Sequence, residues 1–336
     1  MAETMLAVLK ESGAPGVVVK KIPVPQTPKG EVKVKVIYAS ICGTDVGIYD
    51  WTPWVAAKLK PPIVIGHEVV GEILEINGEA PHLKKGDLVS SETHIFDNTC
   101  YQCRINNRHI CENVQFFGYG RNGGFSEYAT IPIHTTWKND SRIPKETMSV
   151  QEPLGNSVNV ITKAGVAGKK ILIMGLGPTG LCAGMVAKVY GASEVVGLNR
   201  SEYRRNLAEK IGFDRTVQAV DEKEFGTFDV VCEMTGNVDT IPVALDAVRI
   251  AGKIIAFGTP KKPAQFNWGT LIDKEITIES IFGRRIWETW YQTSDLLITG
   301  KVDLTKIITH RFKLSEFEEA MKVMKSGECG KIILTP

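Results

Sequence analysis

Alternating and β-branched apolar runs fill the first 150 residues, as in EVKVKVIYAS (31–40) and VVGEILEING (69–78), and Gly, Pro and Asn turns separate them. Runs of that length and period predict strands, so this part reads as mainly β. From Ala164 the pattern changes. Apolar strand, Gly-rich turn and amphipathic helix recur: KKILIMGLG then PTGLCAGMVAKVYG, EVVGLNR then SEYRRNLAEKIG, FDVVCEMTG then VDTIPVALDAVRIAG, and finally KIIAFG. Strands alternating with helices predict a parallel, doubly wound sheet. Its last strand is expected in ITIESIFG, ending near Gly283, and WETWYQTSDLLITG reads as a helix leading to a short tail. The expected organisation is a mainly β domain over residues 1–155, an α/β Rossmann domain over 156–290, and a return of 291–336 to the first domain.

Composition narrows the function. With 336 residues, 43% of them hydrophobic, the chain can bury two cores. Forty basic against thirty-eight acidic residues leave a net charge of +2, without the basic excess of a dedicated nucleic-acid or membrane-surface binder. A small-molecule partner is expected, with neither nucleic acid nor membrane. MAETMLAVLKESG has only a short apolar run, and no stretch approaches the roughly 18 apolar residues of a membrane span, so a cytoplasmic location is expected. In a reducing compartment the seven cysteines point to metal or redox work in place of a disulfide framework.

ILIMGLGPTG carries the dinucleotide fingerprint, with Gly175, Gly177, Pro178, Thr179 and Gly180 between a strand and a helix. The glycines permit the tight turn, backbone approach to the pyrophosphate and close helix–strand packing, while the helix N-terminus faces the anion. At the end of the second strand, where an NAD site usually has Asp or Glu, stands Asn199, followed by Arg200 and then Arg204 and Arg205. A 2′-phosphate would meet positive charge there, so NADP is the expected cofactor, with NAD also admissible. At least one of Arg204 and Arg205 is expected on the solvated face of its helix.

Cys42 in ICGTD, His67 and Glu68 in IGHEVVGE, and Glu152 in QEPLGN bring together thiolate, imidazole and carboxylate, ligand types that suit zinc with an open position. A second group is Cys100, Cys103 and Cys111, with Asp97 three residues ahead of the first. A carboxylate oxygen is an acceptable fourth zinc ligand, and the alternative is a metal-free lobe with reduced thiols. A zinc-ribbon nucleic-acid binder is disfavoured, because only one Cys-x2-Cys pair is present.

The chain resembles the zinc-containing medium-chain dehydrogenases, and within them the L-threonine 3-dehydrogenase branch. The resemblance rests on ICGTDVGIYDW, GHE with its following VVGE, THIF before the cysteine lobe, QEPLGNSVN, the dinucleotide glycines and FGRRIWETWY. It implies a GroES-like catalytic domain beside the Rossmann domain and a homotetramer. It further implies catalytic zinc on Cys42, His67 and Glu152, with Glu68 as exchangeable fourth ligand and Thr44 at the substrate hydroxyl. His94 is implied as a substrate contact, and Asp97, Cys100, Cys103 and Cys111 as a structural zinc site. The implied reaction is hydride transfer from a secondary alcohol to NAD(P), with L-threonine oxidised to 2-amino-3-oxobutanoate; a polyol or sugar is the alternative substrate. Three positions depart from the branch. Gly47 stands where a histidine ends the proton relay, Asn199-Arg200 replaces the acidic NAD signature, and Asp97 replaces the first lobe cysteine.

Overall fold

The computed structural model describes residues 3–336, which form two units. The first runs to Glu152 and resumes over Ile308–Pro336; the second is Pro153–Ile307.

In the first unit the strand Glu31–Ser40 pairs antiparallel with Glu68–Asn77, Tyr128–Pro132 and Lys331–Thr335 at the centre of a seven-stranded sheet. Its alternation is realised: Val32, Val34 and Val36 are buried, and Lys35 faces solvent. The C-terminal helix Phe317–Ser326 buries Phe317, Ala320, Met321 and Met324, a spacing that puts all four on one helical face. Those side chains join the same core as Val32, Ile65 and Phe125. The returning segment therefore completes this unit's core as well as its sheet.

The second unit holds a six-stranded, all-parallel sheet. Its order is Arg215–Val217, Glu194–Leu198, Lys170–Met174, Phe228–Glu233, Val248–Ala256, Thr277–Ser280. In chain order that is 3-2-1-4-5-6, the doubly wound Rossmann arrangement. The return to the first unit comes at Ile308 instead of 291. Helix Glu288–Ile298 buries Trp290, Thr293, Leu296 and Leu297 in the second unit, and the turn Leu304–Ile307 packs on helix Pro178–Val189. No helix among the described residues is long and apolar enough to cross a membrane.

Candidate active site

Cys42 is the N-cap residue of helix Gly43–Tyr49. Its amide donates to Asp45 Oδ2 at 2.8 Å, so the helix start itself fixes the direction of both side chains. Thr44, in the same first turn, has its Oγ1 3.9 Å from Cys42 Sγ. His67 and Glu68 enter through a sharp turn at Gly66, whose φ of +92° favours glycine and where a Cβ would stand 2.1 Å from the Phe125 ring. The two elements bring ligand atoms of Cys42, His67 and Glu68 within 4.8 Å of one another.

Glu152 lies outside that group. It is buried in the first turn of helix Gln151–Ala164, and its Oε1 accepts a hydrogen bond from Thr93 at 3.3 Å. Of the four expected ligands, the structure thus gathers three and holds the fourth nearby, where its charge still acts on His67 and Lys331. Glu68, expected as the exchangeable ligand, is inside the group but already engaged. Its Oε2 accepts from Ser40 and pairs with the buried Lys331, whose ammonium also donates to Ile41 O at 2.9 Å.

The site fits a divalent cation. Glu68 Oε1 is buried without a hydrogen-bond partner among the described residues, a costly state for a polar atom, whereas Asp45 Oδ1 and His67 Nδ1, also without one, face each other. Burial opposes a charged imidazole at His67, yet Asp45, then Cys42 and Glu152, outweigh it and lift its pKa to about 10. Asp45 itself is raised to about 6, by burial first, against the pull of His67 and the Cys42 amide. A cluster that draws a proton onto histidine so strongly is one in which a metal ion can replace that proton. Asp45 stands 3.7 Å from His67 Nδ1, the place of an outer carboxylate that orients a ligating imidazole.

His94 is fixed by a single carboxylate oxygen. Glu92 Oε1 accepts from the His94 amide at 2.9 Å and bonds its ring Nδ1 at 2.8 Å. An aromatic series connects the two histidines: His94 meets Phe116 edge-on, Phe116 stacks on Tyr119 with centroids 4.5 Å apart, and Tyr119 meets His67 edge-on. Trp54 lies against Tyr119. At Gly47 a Cβ would make ordinary contacts with Thr52 and Val55, so packing does not force the loss of the relay histidine.

In the lobe, Asp97, Cys100, Cys103 and Cys111 form one cluster within the same 4.8 Å spacing. Asp97 Oδ1 accepts the amides of Thr99 (2.7 Å) and Cys100 (3.1 Å), and Oδ2 accepts from Asn113 at 2.6 Å. Asn113 and those two amides hold the Asp97 carboxyl well below the usual carboxylate range. Amides of Cys103 and Glu112 point at Cys100 Sγ, and that of Asp97 at Cys111 Sγ. Burial, then its neighbours Cys100 and Cys111, push the Cys103 thiol up to about 12. Crowded sulfurs with inward amides fit zinc in place of protons.

At the nucleotide site helix Pro178–Val189 starts with Gly177 as N-cap and Pro178 at its first position. A Cβ on Gly180 would stand 1.9 Å from Gly175 O, whereas one on Gly177 meets nothing within 4 Å. The third glycine therefore serves packing, and the second leaves an open approach. Thr179 lends its carbonyl to Ser157 at 2.8 Å. Asn199 Oδ1 accepts the Ser201 amide (2.9 Å), and the Ser201 hydroxyl caps the next helix at the Arg204 amide. Arg205 braces the turn by donating to the carbonyls of Asn199 (2.7 Å) and Arg200 (2.9 Å). Arg200 is exposed, and Arg204 Nε is buried without a partner among the described residues. Two guanidinium groups thus remain for an anion.

Sequence reasoning missed Asp45, although its three-residue spacing from Cys42 is a capping signal. It also missed Glu92 two residues before His94, and the brace at Arg205. Ser40, Lys331 and the aromatic series carry no local signal, because they meet the site only through folding.

Residues 28–144 match the alcohol dehydrogenase GroES-like domain family, and residues 178–299 the zinc-binding dehydrogenase family. The chain is 39% identical to L-threonine 3-dehydrogenase of Pyrococcus abyssi and 40% identical to that of Pyrococcus horikoshii, each match covering 99% of both chains. The crystal structure of 2R,3R-butanediol dehydrogenase from Bacillus subtilis superposes with a TM-score of 0.89 at 26% identity, again over 99% of both chains.

Proposed function

The chain belongs to the zinc-binding medium-chain dehydrogenases, and from that premise we propose that it oxidises L-threonine at C3 to 2-amino-3-oxobutanoate with NADP as acceptor. The observation that carries the substrate is full-length similarity to enzymes named L-threonine 3-dehydrogenase. No comparable support exists for the polyol reading. When bound, zinc on Cys42, His67 and Glu152, with Glu68 exchangeable, supplies a Lewis acid at the substrate hydroxyl, and NADP supplies the acceptor for the hydride leaving C3. Thr44 Oγ1 takes the hydrogen bond of that hydroxyl and starts the path by which its proton leaves. Gly47 offers no base, so water or a ribose hydroxyl continues the path. Asp45 orients His67, and Lys331 with Ser40 restrains Glu68. Glu92 orients His94, which meets the charged end of the amino acid.

His94→Ala is expected to lower kcat/KM for threonine about ten- to a hundredfold, the worth of a charge-assisted hydrogen bond. An uncharged secondary alcohol should lose far less, since it has no matching contact to lose. Equal losses on both substrates, or sorbitol or glucose turned over a hundredfold faster than threonine by the wild type, would remove the substrate assignment.

For the cofactor, Arg200 and Arg204 are proposed to receive the 2′-phosphate. Arg200→Ala should reduce the NADP:NAD ratio of kcat/KM by about ten- to a hundredfold. A wild type that favours NAD tenfold would refute this reading.

The proposed assembly is a homotetramer. Strand Thr277–Ser280 ends the sheet with an unpaired edge, and Ile278, Ile272, Trp268 and Phe282 are exposed around it, which supports pairing with a second copy. The absence of a disulfide among the seven cysteines, all of them described residues, supports a cytoplasmic location.

A further inference from the structure

The strand Phe228–Glu233 ends on a buried carboxylate that none of the chemistry above uses. Glu233 pairs with Met174, the last residue of the fingerprint strand. Its Oε1 accepts the Thr235 amide at 2.8 Å and the Thr235 hydroxyl, and it shares the single Thr240 hydroxyl proton (3.0 Å) with Asn237 O (2.6 Å); its Oε2 accepts the Gly236 amide at 3.4 Å. Its main-chain carbonyl accepts the amides of Phe257 (2.9 Å) and Gly258 (3.0 Å), where the next strand ends. One residue therefore fastens two consecutive strand-end turns.

Those turns are closely packed. A Cβ on Gly175 would stand 3.0 Å from Thr235 Cγ2 and 3.2 Å from the Met234 carbonyl. One on Gly258 would stand 2.1 Å from the Gly236 amide nitrogen and 2.6 Å from Glu233 Oε2. The turn after Glu233 thus rests directly on the first fingerprint glycine. In a sheet of order 3-2-1-4-5-6 the dinucleotide lies outside the carboxyl ends of the strands, across the switch point between the first and fourth. The first three strands serve the adenosine half, which leaves the fourth and fifth, the strands that end on these two turns, for the nicotinamide half.

We propose that Glu233 is a positioning residue for the nicotinamide end of the cofactor, acting through the backbone of 234–236 and 257–258. Internal donors take up its charge, so it shapes the turn without confronting the pyrophosphate. Glutamine keeps the size, but with its oxygen at the Oε1 position it removes the charge and aims an NH2 group at the Gly236 amide, leaving the turn mismatched there.

The test measures dissociation constants of the intact enzyme for NADPH, NADH and ADP-ribose, the last being NAD without its nicotinamide ring and therefore the partner of NADH in the comparison. Glu233→Gln should weaken both dinucleotides about tenfold or more while ADP-ribose changes less than about threefold. Equal weakening of all three probes, or no weakening, overturns the proposal. Should that variant fail to fold, Thr240→Val removes one donor and should show the same discrimination at about threefold, with Thr240→Ser restoring wild-type affinity. A Thr240→Val enzyme that binds all three probes alike, weakened or not, overturns it equally.

Discussion

Cys42→Ser is expected to lose about one of two zinc ions per chain together with nearly all activity. A serine hydroxyl stays protonated near neutral pH, where a zinc-bound thiol does not, so the substitution removes a charged ligand from the proposed catalytic site. Lewis-acid stabilisation of developing charge is worth several kcal/mol, so kcat/KM should fall by roughly a thousandfold or more. The zinc that remains belongs to the lobe, where Asp97 and three cysteines are separate from this site. Metal analysis beside initial rates checks both claims. Retained metal and rate would remove Cys42 from the site, and a wild type holding one zinc, with none in the variant, would make the lobe metal-free.

Lys331→Met should cause the largest loss of stability. Lys331 and Glu68 are both fully buried, and the lysine is the carboxylate's cationic partner. Burial disfavours the ammonium, but Glu68, followed by Cys42, raises its pKa above the ordinary value, so the charge is retained at neutral pH. In the metal-free protein methionine fills most of the volume while leaving Glu68 as an uncompensated buried charge, a change that costs about 3–5 kcal/mol. The unfolding midpoint should drop by roughly 5–15 °C. The second change Glu68→Gln should recover much of it, because the amide carries no charge to strand. An unchanged midpoint in Lys331→Met would show that Glu68 does not depend on this lysine.

The alternation in EVKVKVIYAS and the strand–glycine–helix texture after Ala164 made both architectures legible, because half-buried strands and doubly wound units each impose their own spacing on apolar residues. The ligand types were legible too, since thiolate, imidazole and carboxylate are few and their chemistry is specific. The lobe is the most local case. Asp97 to Cys111 fold on one another within a short stretch, so spacing grouped the three cysteines and raised Asp97 as a candidate, which the resemblance then implied as the fourth ligand. The boundary near 291 was less legible, because an amphipathic helix such as Glu288–Ile298 shows that it needs a core but not which one.

What the sequence determined by itself, then, is whatever a short segment must satisfy locally: period, cap, turn and ligand type. Tertiary structure decided what depends on distant partners. It put Lys331, from the last strand, against Glu68, because Lys331–Thr335 pairs with Glu31–Ser40, and that strand pairs in turn with Glu68–Asn77. It gave Glu152 to Thr93 and set Tyr119 against His67. It also divided the arginines after Asn199, with Arg205 bound to backbone carbonyls and Arg200 left exposed. A buried charge or ring takes whichever partner the assembled core presents, and no spacing along the chain encodes that choice.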